Sequence, residues 1–181
     1  MTVPTTPSPE PLQPTPATPA DLPALSALPP GLYQHHKGGW YEVLYTVRCS
    51  ETLQSMAVYR ALYGPDTTPG HDQLWVRPTA MFFDQVAGKN GTGPRFAAHD
   101  AHTLPLTDAA SARAVAWVLG QQLYRARLSL RPPPPEPTTC CGRGCNGCVW
   151  GGYVAAMQHW REQAVALLTS LTPTPAPPES R

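Results

Sequence analysis

The stretch Trp40-Tyr41-Glu42-Val43-Leu44-Tyr45-Thr46-Val47, reading WYEVLYTV, decides the fold class of the N-terminal half. It is dense in aromatic and β-branched side chains, which fit a pleated, half-buried surface, so a β-strand is expected. Upstream, Gly31-Leu32-Tyr33 leads into Lys37-Gly38-Gly39, a turn that would pair the two segments. Downstream, Met56–Leu62 reads as a second strand of the same kind. Gly64-Pro65-Asp66 and Thr67 to Gly70 carry loop chemistry. Gln73–Arg77 reads as a third strand stopped by Pro78. Thr79–Val86 suits a helical turn or a last short strand. Gly88 to Pro94 is expected as a loop, and Arg95-Phe96 is expected to close the sheet. Short strands with glycine-rich turns predict a small antiparallel barrel or curled sheet.

Beyond residue 100 the apolar period changes from two to three or four. Thr107-Asp108 is a helix start. Ala112, Val115, Leu119, Leu123 and Ala126 then mark one apolar helical face, which must end before Pro132. Pro132 to Pro135, with Glu136-Pro137, form a stiff spacer. A second helix follows, with Tyr153, Met157, Trp160, Ala164, Leu167 and Leu171 on one face. Ten of the 24 prolines fall in residues 1–30 and four in 173–178, so both ends read as disordered, proline-rich arms. A plain spacer is the simplest role for the first arm; a ligand for SH3 or WW domains is the other.

Between spacer and second helix lies Cys140-Cys141-Gly142-Arg143-Gly144-Cys145-Asn146-Gly147-Cys148-Val149-Trp150. Four thiols in nine residues are hard to explain as packing. The glycines give the backbone freedom to turn several side chains toward one point, and freed amides can donate to thiolate sulfur. Cys148 falls where the second helix should begin, at the end of a helix that favours a thiolate. Cys140, Cys141, Cys145 and Cys148 are the candidate metal ligands. Soft sulfur donors suit Zn²⁺ or an iron–sulfur cluster. Because adjacent cysteines seldom ligate one ion together, Cys140 stands either as fourth ligand or as resolving thiol. Cys145 and Cys148 can alternatively form a reversible disulfide. Arg143 can hold an anion or tune thiolate charge. The spacing Cys141-x3-Cys145-x2-Cys148 also matches a radical S-adenosylmethionine cluster, but that chemistry needs a much larger barrel than this chain can build.

The lead Pro132 to Glu136, followed by Cys140-Cys141, Gly144-Cys145, Cys148-Val149-Trp150 and Tyr153, resembles the small oxidoreductase-like domain, over about residues 130–165. Its signature is a proline-rich lead, CC-x-x-GC-x-x-CVW and a following tyrosine. The resemblance implies redox chemistry without fixing a reaction. Gly151-Gly152 departs from the bulkier or acidic residues expected at the helix start and loosens it. A second resemblance covers roughly residues 31–97. Tyr33, His35, Lys37-Gly38, Tyr41, Val43, Val58-Tyr59-Arg60, Leu62-Tyr63-Gly64, Trp75-Val76-Arg77-Pro78, Met81-Phe82 and Arg95-Phe96 resemble an uncharacterised bacterial domain of unknown function. That likeness implies a small SH3-like β module and no particular reaction.

Other residues carry chemistry more weakly. Aromatics alternate with basic residues in the β module, as in surfaces that stack nucleobases or grip peptides. Yet residues 31–100 hold six Lys and Arg against six Asp and Glu, so packed aromatics and solvated arginines are the plainer reading. His35 and His36, if on one strand, should point to opposite faces. His99 and His102 have ligand chemistry but fall in an expected linker. Cys49 reads as a buried strand thiol. No nucleophilic triad, phosphate loop or carboxylate pair stands out.

The net charge of +1 gives no case for a general nucleic-acid binder. No apolar run approaches bilayer length, and neither a secretory signal nor a transit peptide is evident. A cytoplasmic location with reduced cysteines is the simplest expectation. The expected architecture is α+β: a disordered arm over 1–30, an SH3-like antiparallel β module over 31–100, a linking helix within 101–131, a cysteine module over 132–171 and a disordered tail over 172–181. The expected function is a redox-related accessory protein with a Zn, iron–sulfur or thiol site, acting with an unknown protein or redox partner and not at a membrane. The alternative is an adaptor whose β module binds peptide or nucleic acid and whose cysteines are a structural metal staple.

Overall fold

A computed structural model of the chain describes residues 22, 24–62, 74–88, 91–139 and 148–171. Strand β1 (Gly31–His35) turns at Lys37-Gly38-Gly39 into β2 (Trp40–Arg48), as the sequence predicts. The turn needs Gly38, whose φ of +95° is a conformation that side chains with a Cβ avoid. Strand β3 (Ser55–Ala61) pairs with β2, and β4 (Leu74–Pro78) pairs with β3. A single helical turn, α1 (Ala80–Phe83), follows, then β5 (Gln85–Gly88), so residues 79–86 hold both of the alternatives. Strands β6 (Gly91–Pro94) and β7 (Phe96–His99) complete the β part. All pairings are antiparallel, and the main sheet has the order β4-β3-β2-β1-β7.

Within the expected loop at Gly88 to Pro94, the described residues Gly88 and Gly91–Pro94 instead belong to the pairing of β5 with β6, in which Val86 lies opposite Gly93. Gly91-Thr92-Gly93-Pro94 has no apolar alternation, so backbone pairing alone defines it. The expected arm also ends earlier than residue 30. Leu28 is buried, its carbonyl accepts from Thr46 Oγ1, and Tyr33 Oη donates to Pro29 O. The one bulky apolar residue of that stretch beside the sheet is enough to fasten it.

Helix α2 (Ala109–Arg125) begins where Thr107-Asp108 predicts. Asp108 Oδ1 accepts from Ser111 N at 2.7 Å while Ser111 Oγ accepts from Asp108 N at 3.2 Å, a reciprocal cap that satisfies two end amides. It ends at Arg125, seven positions before Pro132. Arg127 takes a left-handed φ of +56°, Arg127 N donates to Tyr124 O and Leu128 N to Leu123 O. These two bonds are the Schellman pattern that closes a helix. Helix α3 (Val149–Ser170) buries Tyr153, Met157, Trp160 and Ala164 as expected, whereas Leu171 caps the end and is exposed.

The two faces of the sheet serve different cores. Leu32 and Trp40 face α2, and α2 in turn packs on α3; Ala112, Val115, Leu119, Leu123, Met157 and Trp160 join them in one apolar cluster. On the opposite face Tyr33, Val43, Tyr59, Phe82, Phe96 and Leu28 form a second cluster, capped by α1. Arg77 of β4 lies with its guanidinium 5.8 Å from the ring centre of Phe96 of β7. Those strands are four steps apart in the sheet, about 19 Å if it were flat. The sheet is therefore curled around the aromatic cluster.

Candidate metal or redox site

Of the four candidate ligands, Cys148 lies within the described residues; Cys140, Cys141 and Cys145, with Arg143, lie outside them. Cys148 occupies the N-cap of α3, with a free, half-buried thiol, and its carbonyl accepts from Gly151 N at 2.9 Å. The expectation that the last helix starts at Cys148 therefore holds. Among the described residues no three His, Cys, Asp or Glu side chains are grouped to hold a metal ion. The donor at Cys148 is a soft sulfur engaged in no disulfide, which is the state that a thiophilic ion requires.

Side-chain contacts tie the proline-rich lead to the helices. Trp160 Nε1, on the buried face of α3, donates to Arg131 O at 2.8 Å and pins the start of the proline-rich lead. Farther along the lead, Glu136 forms a close ion pair with Arg113 of α2. Glu136 also lies near enough to Tyr153 to help raise its phenol pKa, an effect second to burial and opposed by Arg113. Trp160 and Tyr153 are two turns apart on α3. The lead therefore runs back along α3 toward its N-terminus, and residues 136 and 153 bracket the cysteine segment from both sides. Trp150 stacks edge-on against Tyr153, with ring centres 5.8 Å apart, and closes the apolar floor of the first turn. Four prolines in the lead hold it extended without help from a sheet.

Other sequence candidates fall elsewhere. His35 and His36 do come together, with ring centres 4.2 Å apart, because His36 lies in the turn beyond β1 and is not bound by strand alternation. Burial, followed by His36, Arg77, Arg95 and Lys37, pushes His35 down to about 4. His99 lies in β7 and not in a linker; it stacks edge-on against Trp40, and burial lowers its pKa. Asp100 folds the next turn by accepting from His102 N and Thr103 Oγ1, while His102 contacts Gln122. Cys49 is not a buried strand residue. It is half-buried in the turn after β2, and hydrogen bonds from Thr52 and the Glu51 backbone hold its thiol below the usual range. The aromatics of the β module are mostly packed, but Trp75 is 53 % exposed.

Sequence reading missed a buried ionic centre between sheet and helix. Glu42 of β2 is 2 % exposed. It accepts from Trp117 Nε1 at 2.8 Å, lies 3.0 Å from Arg60 Nε and 3.6 Å from an Arg125 terminal nitrogen. The Arg60 guanidinium also covers the Trp117 ring at 5.1 Å. The signal was present: a lone carboxylate at an inward position of an apolar strand needs partners.

Comparison with known proteins matches two families along the chain. Residues 31–98 match the family described as a protein of unknown function (DUF1653), and residues 126–168 match the family described as oxidoreductase-like protein, N-terminal. A solved structure of a protein belonging to DUF1653 from Bordetella bronchiseptica is 32% identical, with a TM-score of 0.37, over 45% of this chain and 99% of that one. A mouse protein named NADH-cytochrome b5 reductase-like is 38% identical over 56 residues, which is 31% of this chain. The chain thus spans 18% of that relative's length.

Proposed function

We propose that this chain, which carries a DUF1653 domain at residues 31–98 and an oxidoreductase-like N-terminal domain at 126–168, is a redox-related accessory protein built around its four cysteines. In this reading Cys141, Cys145 and Cys148 bind Zn²⁺ or an iron–sulfur cluster, and Cys140 is the fourth ligand or a resolving thiol. The observation that carries it is the free Cys148 thiol at the first turn of α3, beside a proline-rich lead tied down through Trp160 and Glu136. Such fixed ends hold a short thiol-rich segment in one place at little further entropic cost.

Bound zinc supplies a structural crosslink, whereas a cluster supplies one-electron transfer. The protein's own residues tie down the lead to the ligand-bearing chain, pack Trp150 against Tyr153, and set Cys148 at the N-cap of α3. The likeness to a segment of an NADH-cytochrome b5 reductase-like protein supports a redox partner, and a cytoplasmic setting fits reduced thiols. No described helix is long and apolar enough to cross a membrane. The β part reads further as an SH3-like barrel, supported by the curl that sets Arg77 over Phe96.

The test is substitution of Cys145→Ser and Cys148→Ser in the full chain, with metal content, thiol reactivity and melting temperature measured together. Loss of metal or of a fast-reacting thiol is expected. If all three readings stay at the wild-type value, the proposal fails.

A further inference from the structure

One end of the curled sheet gathers cations around an aromatic mouth. His35 stacks edge-on against Phe96 at 4.8 Å and lies 6.2 Å from Tyr41, with His36 against its other side. Arg77 covers Phe96, and His36 N donates to the carbonyl of Arg95, which ties that residue to the same rim. Lys37 follows in the exposed turn, its amide donating to His35 Nδ1 at 3.3 Å. Arg95 makes a terminal contact with Asp84 at 3.4 Å, but its Nε is buried with no hydrogen-bond partner among the described residues. Among the described residues, the other carboxylate of this part of the sheet, Glu42, is on the opposite face and already paired.

Among the described residues, three permanent cations thus meet one carboxylate at a mouth walled by π faces. Trp75 extends this wall. It stands two residues before Arg77 on the same face of β4, opposite Tyr59, and is largely exposed at the sheet edge. Residues two apart on a strand are about 7 Å apart, close to the separation of a nucleotide's base and its phosphate. An exposed indole beside guanidinium groups is the pairing used to stack a base and neutralise its phosphate.

We propose that this mouth binds a nucleotide phosphate, with Arg77, Arg95 and Lys37 on the phosphate and Trp75 stacked on the base. The phosphate can come from a single-stranded nucleic acid or from a free nucleotide. The site is independent of the cysteine chemistry and survives if that reading fails. His35, whose pKa is lowered to about 4, offers a ring face at neutral pH and no further cation.

The experiment is fluorescence anisotropy of a labelled single-stranded oligothymidylate with the full chain at two salt concentrations, and competition by thymidine monophosphate. Binding that weakens with salt is expected. Arg77→Gln and Lys37→Gln should each weaken it about tenfold, and Trp75→Ala by a similar factor, while Arg127→Gln leaves it unchanged. Because Arg77 also packs on Phe96, melting curves accompany that variant; Lys37, in an exposed turn, carries no such burden. Competition by the monophosphate at equal phosphate concentration identifies a free nucleotide as the source, and its absence identifies a strand. No binding at low salt, or binding untouched by both Arg77→Gln and Lys37→Gln, overturns the proposal.

Discussion

Trp117 Nε1 donates to Glu42 Oε2 at 2.8 Å, joining helix α2 to the middle of the sheet across 75 positions of sequence. The carboxylate would be costly to bury alone, and Arg60 and Arg125 share its charge. Trp117→Phe keeps the ring and removes the donor. It should lower stability by about 1.5–3 kcal/mol, the usual range for a hydrogen bond to a charged group. Glu42→Ala should cost more, about 3–5 kcal/mol, because it leaves Arg60 half-buried without its partner. Urea unfolding followed by circular dichroism checks both, and equal, negligible shifts would show the network to be ornamental.

Helix α2 closes on an arginine where a glycine is usual. Arg127 holds φ at +56°, which costs a residue with a Cβ about 1 kcal/mol. Arg127→Gly should therefore stabilise the protein slightly, by up to about 0.5 kcal/mol once the extra freedom of glycine in the unfolded chain is subtracted. A raised melting temperature is the expected outcome; a lowered one would mean that the arginine side chain contributes more than its backbone strain costs.

His35 gives the fold a defined acid sensitivity. Its pKa is pushed from 6.5 to about 4 in the folded state by burial and by the cations around it. Between those values the unfolded chain binds a proton that the folded chain refuses. Stability from this residue is thus complete above pH 6.5, falls as pH drops toward 4, and falls no further below that. An NMR titration of the His35 ring should show a midpoint near the lower value. In a pH series of melting curves, His35→Gln should flatten this part of the profile. A midpoint at or above 6.5 would contradict the packing of this ring.

Much of the architecture was legible in the sequence because its signals are local. Trp40 to Val43 alternate between the two faces of the sheet, so Trp40 and Val43 enter separate cores. Asp108 with Ser111 writes its own helix start. Features that rest on tertiary context were not legible. The β5–β6 pairing has no side-chain pattern to announce it. Leu28 is buried only because the curled sheet leaves it a place. His35 and His36 meet because the strand ends between them. At the candidate site the cysteine spacing and the helix start at Cys148 were readable. The anchoring of the lead was not, since Glu136 and Trp160 find Arg113 and Arg131 only after α2 and α3 pack.

The central claim is that the four cysteines form one metal or redox site. The most direct measurement is the visible absorption spectrum of the full chain purified without oxygen, with elemental analysis for iron and zinc on the same sample. The account predicts either a coloured, iron-containing protein or a colourless one with about one zinc per chain, and in both cases loss of the metal in Cys148→Ser. A metal-free protein whose cysteine thiols neither react quickly nor form a reversible disulfide would contradict it.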